Sequence, residues 1–438
     1  MAVVDGEGGG SGRRARWRCL LLWATAWLTI LAGLLLAPGA LADSCVDCHR
    51  QLGRGLGEAV HGWQGSIHQE AGVTCSGCHG GNPASFERAK AMGAGFVGRP
   101  GPRQAVQLCA RCHADPRAMR QYNLRTDQYS EYLTSAHGRR LMAREDSGVA
   151  TCLSCHGAHE ILSPASPRSR VNRGNVPAMC AGCHADPQRM RSSRIRTDQM
   201  TAYQRGVHGR LLLEAGDRRV PTCADCHGIH GAVPPGVGEV ANVCGTCHFV
   251  IARYFREGAH AQAVHDIGVP KCISCHAAHD VVPAGLDLYA GNGPGRCGSC
   301  HPEASEPFRV GLAIQSLIAG AQEGLTRTQA EIARLHREGT DVRELEGLIV
   351  EAKAAVIEAK PVAHALQVAA VKVRTNRALR LLARVDERAR SLRRELEGRR
   401  RALTVALSLT LGIMGLLFIK RASLRDPGSA EESGGPET

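Results

Sequence analysis

The sequence predicts a mainly α-helical protein with extensive loops, in which a loop-rich domain precedes a long helical hairpin or bundle and a C-terminal transmembrane helix. Three observations predict this order. A short cysteine motif recurs through a segment that is rich in Gly and Pro and has no strong strand pattern. A heptad pattern of apolar residues follows it, and an uncharged apolar run lies close to the C-terminus.

The recurring motif is Cys-x-x-Cys-His, which occurs nine times between Cys45 and His301. Two thiols at this spacing can form thioethers with the two vinyl groups of one porphyrin, and the adjoining imidazole then reaches the iron. Zinc ribbons or disulfides are the alternatives. Zinc sites, however, do not need a histidine after every second cysteine, and disulfides do not keep one spacing throughout. The sequence therefore predicts nine covalently bound haem c groups and a multihaem cytochrome c haem-stack domain.

These nine motifs use eighteen of the nineteen cysteines. The predicted haem-attaching residues are Cys45, Cys48, Cys75, Cys78, Cys109, Cys112, Cys152, Cys155, Cys180, Cys183, Cys223, Cys226, Cys244, Cys247, Cys272, Cys275, Cys297 and Cys300. The predicted proximal iron ligands are His49, His79, His113, His156, His184, His227, His248, His276 and His301.

Residues 1–42 are predicted to be a signal peptide that contains the remaining thiol, Cys19. A basic start is followed by an apolar run from Leu20 to Leu36 and by a small-residue cleavage site that ends at Ala42. The pair Arg13-Arg14 suggests the twin-arginine route. Covalent haem is added to an unfolded chain outside the cytoplasm, which favours the general secretory route. An uncleaved N-terminal anchor is the alternative.

The formal charge of +13 and the pI of about 9.1 would ordinarily indicate nucleic acid or anionic lipid as partners. Nine haems, however, bring about eighteen propionate charges that the residue count omits. The basic surplus is therefore interpreted as their counter-charge, and no nucleic-acid partner is expected. Aromatic residues make up only 4% of the chain, so porphyrins are expected to fill the core.

An internal repeat organises the predicted haem domain, residues 43–302. The block 109–159 returns 71 residues later as 180–230, with Cys-His-Ala-Asp-Pro, Arg-Thr-Asp-Gln and His-Gly in both copies. A shorter third copy covers 244–279, and a degenerate pair of motifs leads the array. The domain has about 29 residues per motif, too few to bury the porphyrins separately, so neighbouring haems are expected to be in or near van der Waals contact.

An iron that only transfers electrons needs a sixth ligand, and histidines outside the motifs are predicted to supply it. His159, His230 and His279 each follow a motif histidine by three residues, too near to reach the opposite face of their own porphyrin, and are assigned to neighbouring haems. Four others precede a motif at matching repeat positions. His265 and His336 are predicted not to be ligands. The predicted distal ligands are His61, His68, His137, His159, His208, His230, His260, His279 and His364.

Residues 303–401 are predicted to form a helical stalk or bundle. Apolar residues at alternating spacings of four and three give three seams, of which the first ends at Gly339. Asp341 with Glu344 predicts a capping-box-like start for the second helix, which runs to Pro361. His364 lies on the third seam, where an unpaired imidazole would be costly to bury, so it is predicted to fold back onto a haem iron. The seams are Ile314, Ile318, Ala321, Leu325, Thr328, Ile332 and Leu335; Leu345, Ile349, Ala352 and Val356; and His364, Val368, Val371, Thr375, Ala378, Leu382, Val385, Ala389, Leu392 and Leu396.

Residues 402–419 are predicted to cross the membrane and 420–438 to form a disordered cytoplasmic tail. This places the haem domain in the periplasm, anchored to the inner membrane by its C-terminus. Five arginines between residues 393 and 401 conflict with the positive-inside tendency. Export of the haem domain would override that tendency.

The repeated Cys-His-Ala-Asp-Pro, Arg-Thr-Asp, His-Gly and Cys-His-x-x-His blocks, with the helical tail, resemble membrane-anchored multihaem cytochromes c of the class III (cytochrome c3-like), doubled Cys-x-x-Cys-His type. The resemblance implies low-potential, bis-histidine haems that relay electrons in the periplasm of respiring bacteria, often near the quinone pool. Tetrahaem quinol dehydrogenases of this kind carry their anchor at the N-terminus. This chain departs from them there, which argues against direct oxidation of quinol.

The expected function is electron relay between a membrane, quinone-linked donor and periplasmic or outer-membrane acceptors, with other redox proteins of a respiratory chain as partners and no catalytic residues. One alternative is a multihaem reductase of nitrite, hydroxylamine or tetrathionate, in which one iron keeps an open position. The other is a subunit of an extracellular haem filament, against which the membrane span argues.

Overall fold

The computed structural model describes residues 43–233, 243–268, 270–283 and 285–424. The predicted signal peptide, Cys19 and most of the predicted cytoplasmic tail lie outside the described residues. The chain divides into two compact units. The first contains the described residues up to Thr201 and those from His208 to residue 233, and the second contains Ala202–Val207 and the described residues from 243 onward. The predicted boundary at residue 303 marks a change in composition, whereas the division by packing falls earlier, so the last three motifs share a unit with the bundle.

Short helices joined by loops make up the first unit, as the fold class predicted. No strand occurs among its described residues. The helices are α1 Ser44–Gln51, α2 Arg54–Trp63, α3 Ile67–Glu70, α4 Cys75–His79, α5 Arg88–Ala91, α6 Pro102–His113, α7 Pro116–Met119, α8 Gln128–Thr134, α9 Ala136–Arg144, α10 Cys152–His156, α11 Val176–His184, α12 Pro187–Met190, α14 Val207–Leu213 from its second residue onward, and α15 Cys223–His227, with 3-10 turns at Arg120–Tyr122 and Arg191–Ser193.

The repeated Asp-Pro dipeptides start two of these helices. Asp115 and Asp186 are the N-cap residues of α7 and α12, and each carboxylate accepts a hydrogen bond from a backbone N–H two residues later, at 2.8 Å in both cases. Proline at the first helical position lacks only an N–H that would have no partner there. The Cys-His-Ala-Asp-Pro block therefore encodes a haem motif followed directly by a new helix.

One backbone hydrogen bond recurs at the same place in the leading pair and in both full copies of the repeat. The N–H of Ala136, just before His137, donates to the carbonyl of Ala232, two residues after His230, at 2.9 Å. Ile67 and Ile161 make the same bond in the leading pair, also at 2.9 Å. Each bond connects the start of a histidine-bearing helix to the segment after a Cys-His-x-x-His block. This contact fixes the register between these two parts of the chain.

The second unit continues this pattern and then changes to long helices. Its helices are α13 Gln199–Arg205 from Ala202 onward, α16 Cys244–Cys247, α17 Phe249–Glu257, α18 Ala259–Ile267, α19 Cys272–His276, α20 Glu306–Arg337, α21 Arg343–Val362 and α22 Val368–Ser423, with 3-10 turns at Leu286–Tyr289, Cys297–Ser299 and Ala363–Ala365. The last three long helices pack together as a bundle.

The predicted seams form the core of that bundle. Ile314, Leu335 and Val385 are fully buried, and Thr328 and Thr375 are buried beside them. Leu325, Leu392 and Leu396 of the predicted seams are only half-buried, and Leu325 and Leu392 pack against the buried core. The long helices owe their stability to this continuous apolar contact, since burial of apolar side chains is the main favourable term in packing.

The ends of the helices differ in detail from the prediction. The first long helix ends before Gly339, which has a φ of +81°. The expected capping box is not formed: α21 begins at Arg343 with Val342 as N-cap. The Asp341 carboxylate pairs with the side chain of Arg343, so it does not exchange capping bonds with Glu344. Pro361 lies inside the last turn of α21, which ends at Val362.

The predicted span is continuous with the third helix of the bundle. Among the described residues, α22 is the one helix long and apolar enough to cross a membrane, with a mean hydropathy of 2.3 in its most apolar stretch. Residues 402–419 are exposed throughout. An apolar surface of this length without a covering partner suits a hydrocarbon environment.

Candidate haem-binding sites

Most of the nine motifs form one turn of helix, and we number the sites 1 to 9 in chain order. The helices α4, α10, α15 and α19 consist of the five motif residues alone, and α6 and α11 end at a motif histidine. Residues three and four positions apart share one face of a helix. Both thiols and the imidazole of a motif therefore lie on one side, as attachment to a single porphyrin requires.

Capping sets the limits of these short helices. The backbone N–H of Thr222 donates to the Asp225 carboxylate at 2.7 Å at the start of α15. Directly after the motif histidine, Gly157 and Gly228 have φ angles of +87° and +89°, which favour glycine because it has no Cβ. Ala277 occupies the same position after α19 with a φ of +61°. The helix thus stops at the histidine and the chain turns away from the ring.

Six of the motif histidines each face one histidine from outside the motifs. Their ring centroids are 6.1 to 6.3 Å apart, in both units. Two imidazoles that bind one metal ion from opposite sides at about 2 Å have centroids about 6 Å apart. The spacing therefore fits a single iron between each pair. The pairs are His68 with His113, His79 with His159, His137 with His184, His156 with His230, His260 with His301, and His276 with His364.

The pairs join distant parts of the chain. His159 faces His79 of site 2, although it directly follows the motif of site 4. His230 follows the motif of site 6 and faces His156 of site 4. His68, by contrast, faces a motif histidine further along the chain, in site 3. Adjacent repeats are thereby interlocked, because the segment that carries one haem motif supplies a ring to another site.

Burial and hydrogen bonding leave these rings in the form that binds metal. Burial lowers the pKa of His156 and of His364, which keeps the imidazole neutral with a free lone pair. The Nδ1 of His79 donates to the carbonyl of Val97 at 2.7 Å, and that of His364 donates to the carbonyl of Lys360 at 3.1 Å. A carbonyl can only accept, so Nε2 is left as the ligand atom.

The thiols show which sites are neighbours. Side chains of Cys109 in site 3 and Cys152 in site 4 interact directly, and so do Cys180 and Cys223 in sites 5 and 6. Cys155 of site 4 also interacts with the thiols of site 5. In the second unit, Cys244 and Cys272 place sites 7 and 8 together, and Cys275 lies near the thiols of site 9. Within each unit, neighbouring sites thus follow the chain order of their motifs.

The surroundings of the motifs suit a large apolar ring. Ile229, between the histidines at 227 and 230, is 73% exposed, and Phe249, directly after His248, is 68% exposed. Apolar side chains at such positions lie where they would cover porphyrin surface. The cysteines of the described residues are all free of disulfide bonds, and no cluster of three or more His, Cys, Asp or Glu forms a compact metal site among them. The donor set and its apolar surroundings therefore fit haem.

Comparison with known proteins indicates the same class of protein. Residues 67–186 match the cytochrome c3 family and residues 213–301 match the class III cytochrome C family. The chain is a multihaem cytochrome c. The multiheme cytochrome MtrA of Shewanella baltica (strain OS185) is 24% identical to this cytochrome over 222 residues, which are 47% of this chain and 52% of that protein. The cytochrome thus spans about half the length of the curated relative it matches. No solved structure matches it.

Three predicted distal ligands are not among the six pairs. His61 lies exposed near the end of α2, and no second histidine ring faces His49 within residues 43–233. His208, in α14, and His279, after α19, both interact with surrounding groups. The two histidines predicted not to be ligands are placed differently from the pairs: His265 is exposed beside Asp266, and His336 lines a shallow groove between α20 and α21.

The structure adds functional residues of the cytochrome that the motifs did not reveal. The backbone carbonyls that accept hydrogen bonds from the Nδ1 atoms of His79 and His364 belong to ordinary loop and helix residues. Their side chains do not take part, so the sequence does not identify them. Glu131 is different, because its carboxylate lies beside the ring of His230, a predicted distal ligand. Aligning the repeat copies would have shown this glutamate, since the corresponding residue 71 positions later is Ala202.

Proposed function

We propose that this cytochrome is a nine-haem electron relay in the periplasm, which passes electrons from a membrane, quinone-linked donor to periplasmic or outer-membrane acceptors. The observation that carries the proposal is the set of six histidine pairs, each spaced for one iron. An iron with an imidazole on both faces has no position for substrate. Histidine pairs that hold an iron in this way would let it exchange electrons and would leave no place to bind and transform a small molecule.

The count of nine follows from the motifs and from the distal candidates. The six pairs given above are found among the described residues, and His61, His208 and His279 are the predicted distal ligands for His49, His227 and His248. We assign all nine predicted distal histidines this role. His61 is included because α2, on which it lies, packs against the motif helix α1.

Haem supplies the chemistry, a reversible change of one electron at iron. The chain does the rest through its own residues. The motif cysteines fix each group at a set place, the paired imidazoles hold the iron from both sides, and the carbonyls on Nδ1 hold the rings in position. Two imidazole ligands, without the methionine that raises the potential of other cytochromes c, favour low reduction potentials. Thiol contacts between neighbouring motifs support transfer from site to site within each unit.

The bundle connects the last sites to the membrane anchor. His364 lies in the turn between α21 and α22 and faces His276 of site 8. Gly258, at the start of α18, approaches this turn so closely that a Cβ would lie 2.9 Å from the Ala365 carbonyl oxygen. Bundle and haem sites of the second unit are therefore one packed body. We place the haem domain on the periplasmic side of the inner membrane, with residues 420–438 in the cytoplasm.

Electron paramagnetic resonance of the oxidised full-length protein, with haem per chain from the pyridine haemochrome, tests the proposal. Nine haems per chain, all low-spin, are the expected result. Fewer haems, or a high-spin signal equal to one iron per chain, would contradict it. A high-spin signal would favour the reductase, and site 1 is the place to examine first, since no ring faces His49 among residues 43–233. Nitrite, hydroxylamine and tetrathionate would then be tested as substrates.

A further inference from the structure

The two full copies of the repeat differ in charge beside one distal histidine. In the first copy, the Glu131 carboxylate lies 3.6 Å from Nδ1 of His230. The same backbone hydrogen bond locates the matching position in the leading pair and in both full copies, five residues before its donor: Gly62 in the leading pair, Glu131 in the first copy and Ala202 in the second. Only one of these three positions, in the part of the chain that the structure describes, carries a charge.

Glu131 is held in this place by its neighbours. One carboxylate oxygen accepts a hydrogen bond from Arg125 at 2.7 Å, while the other oxygen faces the imidazole. A Cβ at Gly231 would lie 3.9 Å from the Glu131 Cβ, so the glutamate packs directly against the segment that carries His230. Both Glu131 and His230 are about one-third exposed without a porphyrin. The Glu131 carboxylate is thus held with one oxygen facing the His230 ring.

The net charge at this place is negative. Arg125 also forms an ion pair with Asp127, and these two charges cancel. Arg196 and Asp198 form the same pair in the second copy, where Ala202 adds nothing. Both copies therefore have the arginine and the aspartate. They differ by one negative charge, which Glu131 adds beside a distal imidazole in the first copy.

We infer that Glu131 is a positioning residue that lowers the reduction potential of the haem held by His156 and His230, compared with the same chain without this carboxylate. A carboxylate close to the outer nitrogen of a ligating imidazole makes the ring a stronger donor to the metal. A stronger donor and a nearby negative charge stabilise ferric iron more than ferrous iron, because ferric iron carries the larger positive charge. Site 4 is then reduced later, and oxidised earlier, than it would be without Glu131. This inference rests on the proposed bis-histidine ligation.

The test is an equilibrium redox titration of the full-length holoprotein, followed by visible absorption, for wild type, Glu131→Gln and Glu131→Ala. Glutamine has nearly the same shape as glutamate but no charge. Alanine is the residue that the second copy has at the matching position, Ala202. We expect one ninth of the absorbance change to move to a more positive potential in both variants, while haem content and the low-spin signal stay unchanged. Superimposable titration curves with intact haem content would overturn the inference.

The reciprocal variant Ala202→Glu provides a gain of function and a control for folding. It places a carboxylate at the matching position of the second copy, and we expect one ninth of the absorbance change to move to a more negative potential. If the Glu131 variants lose haem, the test rests on Ala202→Glu alone. A redox titration curve of Ala202→Glu that does not differ from that of the wild type would then overturn the inference. Failure of the proposed function itself would be visible beforehand, as missing haems or a high-spin signal in the wild type.

Discussion

Replacing His159 with alanine tests the interlocked ligands most directly. The His159 ring faces His79 with a centroid separation of 6.2 Å, although it lies three residues after the motif histidine of site 4. Removal should therefore open the iron of site 2 and leave site 4 intact. One ligand is lost from one iron, so one ninth of the haem iron should become high-spin and one CO should bind per chain in the reduced protein. His265→Ala is the matched control, because His265 is exposed and faces no ring among the described residues.

Two cysteine backgrounds identify which haem responds. Replacing Cys152 and Cys155 by alanine removes the haem of site 4, and His159→Ala should still produce a high-spin iron in that chain. Replacing Cys75 and Cys78 removes the haem of site 2, and His159→Ala should then add no high-spin signal. Haem content of eight per chain confirms that each background is otherwise loaded. The opposite pattern, with a signal that depends on Cys152 and Cys155, would refute the crossed assignment.

Three further results are expected. Gly311→Ala should disturb site 9, because its Cβ would lie 3.1 Å from Cys297 Sγ and 2.5 Å from a backbone oxygen; Gly320→Ala on the same helix, with nothing within 4 Å, should leave the haem spectrum unchanged. Leu335→Ala, at a fully buried position, should lower the free energy of unfolding of the bundle by about 2 to 5 kcal/mol in urea titrations, against less than about 1 kcal/mol for the half-exposed Leu312→Ala. Deletion of residues 402–419 should move the cytochrome from the membrane fraction to the soluble fraction, and retention in the membrane would contradict anchoring by this segment.

Local features were predictable from the sequence, and long-range pairings were not. The motifs set their own short helices, because two cysteines and a histidine at this spacing occupy one helix turn, and the heptad seams predicted which bundle residues are buried. The partner of His159 is 80 residues upstream, and nothing in its local sequence distinguishes site 2 from any other site. The prediction of a capping box at Asp341 was wrong, because the helix begins one residue later with Val342 as its N-cap, and the Asp341 carboxylate binds Arg343.

The repeat could have predicted more than it did. Matching the copies places Glu131, Ala202 and Gly62 at equivalent positions, so a difference in charge was available in the sequence. The consequence of this charge difference could not be predicted from the sequence, because the path of the chain decides which histidine ring lies beside that position. The backbone bond from Ala136 to Ala232 provides this information, since it aligns the helix after Glu131 with the segment that carries His230.

The contrast between the two kinds of packing explains how the molecule can hold many haems with few apolar side chains. The bundle has three buried apolar clusters that span residues from Ile314 to Ala389, whereas the described part of the first unit has one small apolar cluster around Val106, Tyr132 and Leu141. Short helices of four to twelve residues are not stable alone in water. Each paired imidazole joins two chain segments through one group, so ligation can do in the first unit what side-chain packing does in the bundle. Rigid fixation of this kind also suits electron transfer, because a redox centre held on both faces changes little in geometry when its charge changes.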